Sequence, residues 1–187
     1  MNFNLRRYTT VGDGGAVKVV QGTATFQRVD FIDNSPSTGF NGGAVDLSGL
    51  STATFTECNF TRNSAPAYQG GGVRVGGGRA RFTRCAFTAN DAGYGGAIYA
   101  AARSVVTADT CVFDKNSADS EGAVAFVAAG GNFQALTSAW GDNGIKAEDA
   151  VHLVDGRGLH SFTLELNLSS SVHRRAQLEQ LQDTCMS

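Results

Sequence analysis

Acidic residues are the first groups to consider for chemistry, because glycoside hydrolysis needs two carboxylates about 5–10 Å apart and calcium needs several that converge. Asp30 and Asp33 lie three residues apart, whereas Asp46 and Glu57 occupy separate segments with basic neighbours. The sequence contains neither an Asp-Asp pair nor a Gly-His-Gly block. We therefore expect a protein that is not an enzyme and that has no catalytic residue.

Histidine and cysteine are the usual protein ligands of transition metals. His152, His160 and His173 lie late in the chain, where Glu148 or Asp149 would supply a carboxylate. Their spacing does not close a coordination shell, and the four cysteines include no Cys-x-x-Cys pair. We expect exposed histidines, and neither a metal nor a cofactor.

The densest basic cluster of the sequence consists of Arg74, Arg79, Arg81 and Arg84. Alternation along a strand directs Arg74, Arg79 and Arg81 outward on one turn of the chain. Such a cluster either binds an acidic glycan or forms a solvated face that Asp46 and Glu57 balance. The even mixture of charges over the whole chain favours the solvated face.

Composition bounds the remaining function classes. The 187 residues include 24 glycines and 2 prolines, and 15 basic and 17 acidic residues give a net charge of −2. This balance does not favour binding to nucleic acid or to an anionic membrane surface. No run of about 18 apolar residues occurs, so we expect no membrane insertion by this segment. Met1–Tyr8 lacks an apolar stretch, so the sequence as it stands has no secretory signal peptide.

Two motifs repeat at a common period and indicate how these side chains are positioned. Phe-x-x-Asn begins at Phe31, Phe60, Phe87 and Phe113, with a variant at Trp140, in steps of 29, 27, 26 and 27 residues. Gly-Gly-Ala-Val or a close variant begins at Gly14, Gly42, Gly70, Gly95 and Glu121, with a degenerate copy at Glu148. Two motifs that alternate over about 140 residues are typical of stacked structural repeats.

Apolar residues follow each glycine motif with the alternation of a strand. They stand three and five residues into the copies, as Val17 and Val19, Val45 and Leu47, Val73 and Val75, Ile98 and Ala100, Val124 and Phe126, and Val151 and Leu153. The column between them should face solvent and contains Lys18, Asp46, Arg74, Tyr99 and Ala125. Strands this short must stack like over like, about 4.8 Å per turn. The sequence thus predicts an all-β fold, a right-handed parallel β-helix (β-solenoid) of about five to six turns.

Glycine and asparagine mark the expected corners of the solenoid. Gly42 and Gly43, with their equivalents, should provide positive φ or close backbone approach. An asparagine column is expected in the left-handed conformation, with side-chain bonds to the turns above and below; it contains Asn34, Asn63, Asn90, Asn116 and Asn143. Charges alternate over three turns along Lys18, Asp46 and Arg74 and along Arg28, Glu57 and Arg84. This alternation would help to fix the register between turns.

Aromatic and cysteine columns should fill the interior. Phe26, Phe55 and Phe82 are expected to form one ladder, and the aromatic residues of the Phe-x-x-Asn motif another. Cys58, Cys85 and Cys111 should be buried and mainly reduced, because parallel stacked side chains give poor disulfide geometry.

These repeats resemble those of polymorphic outer membrane proteins, the chlamydial-type surface autotransporters. The resemblance rests on Gly95-Gly96-Ala97-Ile98 and on the four Phe-x-x-Asn motifs, and it covers roughly residues 14–143. It implies a right-handed parallel β-helix at a cell surface or outside the cell, often in adhesion, with no catalytic residue to transfer. The signal peptide and the C-terminal membrane barrel of such autotransporters are not recognisable in this sequence.

Residues 1–154 are expected to form the repeat domain, with incomplete first and last turns. Residues 155–187 are expected to form a degenerate last turn or cap and then a disordered or short-helical tail, or else to be a gene-model artefact. Phe3 lies 28 residues before Phe31, which places it in the aromatic column and suggests an N-terminus cut in mid-repeat. The open sheet edge of such a fragment of a larger protein would favour end-to-end self-association.

Function is expected on the outside of the rod, because apolar side chains fill the interior. Segments after the asparagine column vary in length: Ser35–Asn41 and Ser64–Gln69 are longer than Asp91–Tyr94 and Ser117–Ser120. Variable loops on a repeat scaffold often carry recognition, so Tyr68 and Tyr94 are candidate anchors for a protein or glycan at a cell surface. The leading hypothesis is a non-catalytic surface or adhesion module. The alternatives are a carbohydrate-active enzyme, either a polysaccharide lyase or a hydrolase, on the same fold, and a ligand-free structural spacer.

Overall fold

A computed structural model describes residues 3–141, 143, 151–153 and 162–166, and these residues contain 20 strands and no helix. The strands are β1 (Phe3–Arg6), β2 (Thr9–Thr10), β3 (Val17–Val20), β4 (Thr23–Gln27), β5 (Val29–Ile32), β6 (Ser35–Pro36), β7 (Val45–Thr56), β8 (Asn59–Thr61), β9 (Ser64–Gln69), β10 (Val73–Thr83), β11 (Ala86–Thr88), β12 (Asp91–Tyr94), β13 (Ile98–Ala100), β14 (Ser104–Asp109), β15 (Val112–Asp114), β16 (Ser117–Glu121), β17 (Ala125–Val127), β18 (Asn132–Trp140), β19 (Val151–Leu153) and β20 (Phe162–Leu166).

Parallel pairing between successive turns stacks these strands into a β-solenoid of about five turns, as the sequence predicts. The aromatic face consists of β1, β5, β8, β11 and β15. The short-strand face consists of the pair β2–β6 and the three strands β9, β12 and β16. The long face contains β3, β4, β7, β10, β13, β14, β17, β19, β20 and most of β18. The aromatic and short-strand faces contain one strand per turn, whereas the long face contains either one long strand, as in β7 and β10, or two shorter ones, as in β13 and β14. Equivalent residues lie directly over one another.

Two phenylalanine ladders fill the interior, and both predicted ladders are confirmed. Phe55 stacks on Phe26 and Phe82 with ring centroids 4.9 and 4.8 Å apart. In the second ladder Phe60 stacks on Phe31 and Phe87 at 4.7 and 4.6 Å, and the column continues through Phe113 to Trp140. The two ladders meet edge to face, for example between Phe55 and Phe60 at 5.5 Å. The rings thus combine stacked and T-shaped contacts, which are the favourable aromatic geometries.

A hydrogen-bonded asparagine ladder runs along the corner between the aromatic and short-strand faces. The side-chain oxygen of Asn90 accepts bonds from the backbone N–H and the side-chain NH₂ of Asn63, each at 3.0 Å. The prediction of bonds between turns is confirmed, but that of a left-handed conformation is wrong. The left-handed residues are those immediately before the asparagines, with φ of 54, 52, 54 and 55°: Asp33, Arg62, Ala89 and Lys115. The corner needs that bend one residue earlier, so that each amide can point inward to its ladder.

The glycine motif of the fifth turn begins at Gly122, one residue later than the sequence pattern predicts. Gly122 has φ of 69°, as Gly95 has 67°, and the N–H of Gly96 bonds to the carbonyl of Gly122 at 3.0 Å. Ala125 therefore lies in the core, and Phe126 occupies the column of Tyr99. The shift follows from the backbone, because Glu121 cannot adopt the positive φ as cheaply as glycine.

The charge column on the long face is not a simple solvent-exposed ladder. Asp46 is completely buried and pairs with Arg74 at 2.8 Å, whereas Lys18 pairs with Asp13 on its own turn at 3.0 Å. In the second column Glu57 pairs with Arg84 at 2.9 Å. Each alternating column therefore supplies one ion pair between turns.

The first described strand differs from the expected register, and the last one lies in the segment expected to form a degenerate last turn or cap. Leu5, and not Phe3, pairs with Phe31 and takes the aromatic position, while the Phe3 side chain is 67% exposed. Side chains alternate between inward and outward along a strand, so a residue two positions away faces the same side but lies in a different column. At the other end, β20 pairs in parallel with β18. Residues 154–161 and 167–187, with the expected tail, lie outside the described residues.

Cys58, Cys85 and Cys111 are buried and unpaired, as predicted. Ser138 occupies the same column on the next turn, where its hydroxyl accepts a bond from the N–H of Cys111 at 3.2 Å. The thiol column is thus a small-residue part of the core.

Candidate functional site

The short-strand face brings Tyr68 and Tyr94 to neighbouring turns, and we call this pair the tyrosine edge. Both side chains are 37% exposed. Most of the segments predicted as variable loops are strands here: β9 and β12 pair at Ser64 with Asp91 and again at Gln69 with Tyr94. The difference in length is absorbed by a bulge, whose residue Ala67 has φ of 61°. A bulge re-aims the side chains beside it, and Tyr68, next to Ala67, is partly exposed.

Gly93 allows the two turns of the tyrosine edge to approach closely. A Cβ at this position would lie 2.6 Å from the carbonyl carbon of Ala67 and 2.9 Å from the backbone nitrogen of Tyr68. No side chain fits there without moving the bulge. The backbone that carries Tyr68 is therefore held against the strand that carries Tyr94.

Tyr94 is the outer ring of a cluster of three aromatic residues. Its ring meets Phe126 edge to face at 5.2 Å, and Phe126 stacks on Tyr99 with centroids 5.2 Å apart and planes 5° from parallel. Tyr99 and Phe126 are only 9% and 8% exposed, and burial raises the pKa of Tyr99. The motif pattern does not predict this cluster, because it places the start of the fifth repeat one residue early, at Glu121; the glycine at Gly122 is the signal that reveals the cluster.

Arg74 is anchored in a structural contact and is not a free ligand-binding group. Its Nη1 donates to Asp46 Oδ1 at 2.8 Å and its Nε donates to Gln69 Oε1 at 3.0 Å. A Cβ on Gly76 would lie 2.6 Å from Nη1, so this glycine makes room for the guanidinium. Burial raises the pKa of Asp46, and Arg74 opposes that rise. Within the described residues Asp46 Oδ2 has no hydrogen-bond partner, which makes the Arg74 charge important for the stability of this turn.

Arg79 and Arg81 are both exposed on the long face, as expected. Arg81 approaches Asp109 on the next turn at 3.7 Å, and Arg79 forms no ion pair with any residue that the structure describes. The structure thus separates the three predicted arginines, because Arg74 lies beside the tyrosine edge and the other two lie further along β10.

The acidic candidates are engaged by neighbouring turns. Arg62 binds Asp33 through two bonds of 2.7 and 3.1 Å, and this hydrogen-bonded guanidinium lowers the pKa of Asp33. Asp30 accepts a bond from Asn59 at 2.6 Å. These contacts place the carboxylates in links between turns.

The histidines and the acidic residues are the candidate metal ligands of this chain. In the described part of the chain no three His, Cys, Asp or Glu side chains form a group that could hold a metal ion. The arrangement of His152, His160 and His173 with Glu148 or Asp149 falls outside the described residues, apart from the backbone of His152.

Comparison with protein-family models, with curated proteins and with solved structures finds no match in any of the three. The likeness to polymorphic outer membrane protein repeats therefore stays a prediction from motifs. Across the described ranges no helix is long and apolar enough to cross a membrane.

Proposed function

We propose that this protein is a non-catalytic repeat module that binds a protein or glycan at a cell surface through the tyrosine edge. The observation that supports this proposal is that Tyr68 and Tyr94 are partly exposed on adjacent turns of a stacked sheet. The cell-surface location, and a place in a larger protein, are proposed from the motif resemblance.

Rigidity is what makes this edge suitable for binding. Adjacent turns lie about 4.8 Å apart, and Tyr94 is packed against Phe126 while Tyr68 follows a bulge that Gly93 holds close. A tyrosine offers a large apolar ring and a hydroxyl, and it loses little entropy on binding. Pre-organised tyrosines therefore retain more of their contact energy as affinity.

The ion pairs of the acidic side chains favour a binding function over a catalytic one. Asp33, Asp46 and Glu57 each form an ion pair with an arginine of the next turn. Such carboxylates hold turns together, and an acid–base pair for glycoside cleavage would need them poised over a substrate.

The test is a binding screen of the chain against glycans and against cell-surface and matrix proteins. We expect at least one ligand whose binding is lost in the double variant Tyr68→Ala/Tyr94→Ala. Tyr8→Ala is the matched control, since Tyr8 is 49% exposed but lies on the first turn. Unchanged binding of every ligand by the double variant would remove the tyrosine edge from the proposal, and cleavage of a polysaccharide by the chain would overturn its non-catalytic character.

A further inference from the structure

The second half of the long face presents an array of threonines and arginines, which we call the threonine–arginine face. It consists of the outward side chains of β4, of the later parts of β7 and β10, of β14 and of the start of β18, together with the corner residues next to these strands: Arg28, Glu57, Arg84, Arg103 and Thr110. Thr25, Thr54, Arg81 and Thr107 lie in one column on four successive turns, and Thr23, Thr52 and Arg79 lie in the column beside it. Regular pairing of these strands makes the array rigid.

This face is electropositive although the chain as a whole has a net charge of −2. Residues 23–28, 51–57, 78–84, 103–110 and 132–137 include five arginines and two acids, which gives a net charge of +3. Arg84 pairs with Glu57 at 2.9 Å and Arg81 with Asp109 at 3.7 Å. The other three arginines are exposed and form no ion pair with any described residue: Arg28, Arg79 and Arg103.

The three unpaired arginines are spread over the face. Arg28 aligns with Arg84 two turns away, and Arg79 lies on β10 five residues before Arg84, which directly follows the end of that strand. Arg28 and Arg79 are therefore about 10 Å apart along the rod and about 17 Å apart along the strands. A small anion cannot reach both, whereas an extended polyanion can.

We propose that the threonine–arginine face binds an anionic polysaccharide. A threonine hydroxyl both donates and accepts hydrogen bonds, as sugar hydroxyls do, and a guanidinium forms paired bonds to a carboxylate or sulfate. None of the outward residues of this face between positions 23 and 136 is aromatic, so it offers no stacking platform for the bases of a single-stranded nucleic acid. The inference rests on the proposed binding function, but it concerns a face that does not include the tyrosine edge.

The experiment measures binding of the chain to dextran sulfate and to polygalacturonate, with uncharged dextran as the neutral comparison. We expect both anionic polymers to bind, dextran not to bind, and affinity to fall as salt screens the charges. Arg79→Gln/Arg103→Gln should weaken binding at least about 10-fold, since two charged hydrogen-bonding groups are lost. Arg7→Gln/Lys115→Gln removes the same charge from the corner before the asparagine ladder and should retain affinity within about twofold.

Several outcomes would overturn the inference. Equal losses in the two double variants would show attraction by net charge alone, and equal affinity for a single-stranded DNA would show a general polyanion site. If only a neutral glycan or a protein binds, and Tyr68→Ala/Tyr94→Ala abolishes that binding, the inference fails while the proposed function stands. If no glycan or protein binds at all, both fail. Circular dichroism of each variant distinguishes lost binding from lost folding.

Discussion

Replacement of Asn90 by alanine removes the middle rung of the asparagine ladder. Asn90 is fully buried, and its NH₂ group donates to the carbonyl of Phe60 and to Asn116 Oδ1, both at 2.9 Å. Its side-chain oxygen accepts from the backbone N–H and the NH₂ of Asn63. Truncation therefore leaves polar atoms on two neighbouring turns without these partners.

The expected loss of stability follows from those bonds. The backbone N–H of Asn63 and the carbonyl of Phe60 lose buried partners, and each buried unsatisfied group costs about 1–3 kcal/mol. Asn116 Oδ1 still accepts from the backbone N–H of residue 90 at 3.1 Å, and the carbonyl of Phe60 stays within the parallel ladder of β8 and β11, so the N–H of Asn63 is the one backbone group that is orphaned. Asn90→Ala should thus lower the free energy of unfolding by about 1–3 kcal/mol.

Equilibrium denaturation in urea, followed by circular dichroism, measures this change. Asn59→Ala is the matched control, since Asn59 lies outward on β8 and its side chain bonds to Asp30; we expect it to cost less than about 1 kcal/mol. The comparison requires similar m-values, because repeat arrays can lose cooperativity. A cost for Asn90→Ala no greater than that for Asn59→Ala would refute the view that the ladder fixes the corner.

Three further predictions concern the core and the buried charges. Phe60→Ala should lower the free energy of unfolding by about 3–5 kcal/mol because it leaves a cavity in the core. Val112→Ala, at a side chain that is 45% exposed, should lower it far less. Equal losses for the two variants in equilibrium denaturation would contradict a stabilising phenylalanine ladder. Arg74→Ala should cost about 3–5 kcal/mol at pH 7 because it leaves Asp46 buried and unpaired, and adding Asp46→Asn should restore most of that loss. Burial raises the pKa of Asp46 in the folded state, so the contribution of Asp46 to the free energy of unfolding is largest below its unfolded pKa and is lost as pH rises. The loss of stability caused by Arg74→Ala should therefore become smaller as pH falls towards about 4. A loss that does not change with pH would refute the view that Arg74 compensates the buried charge of Asp46. The hydrogen bond with the Cys111 thiol, together with burial, raises the pKa of Cys85 to about 12. Labelling of Cys85, followed by peptide mass spectrometry, should therefore stay slow in the native protein at pH 9 and become fast in urea. Fast native labelling of Cys58, Cys85 and Cys111 would contradict their burial.

Much of the fold was predictable, because stacking turns a repeat in sequence into a column in space. Phe31, Phe60 and Phe87 recur at nearly constant spacing, and the ladder of rings follows directly. The residues before the asparagines gave no signal of their left-handed conformation, because they differ in type. The ladder bonds set that conformation, whatever residue occupies the position.

The candidate site was predictable only in part. Tyr68 and Tyr94 were identified from the variable segments, but the packing of Tyr94 on Phe126 depended on the register of the fifth turn. Gly122 marks that register through its φ, and periodicity alone could not choose between neighbouring positions. The role of Arg74 depends on the burial of Asp46, which alternation along a strand predicts to be exposed.

The most direct test of the central claim measures ligand binding and ligand integrity in one experiment. The chain is incubated with the glycan or protein selected in the binding screen, the affinity is measured, and the recovered ligand is analysed for its size. We expect binding that is lost in Tyr68→Ala/Tyr94→Ala and kept in Tyr8→Ala, with the ligand recovered intact. Recovery of shortened polysaccharide, or binding that is unchanged when both tyrosines are replaced, would contradict a non-catalytic module that recognises its ligand through the tyrosine edge.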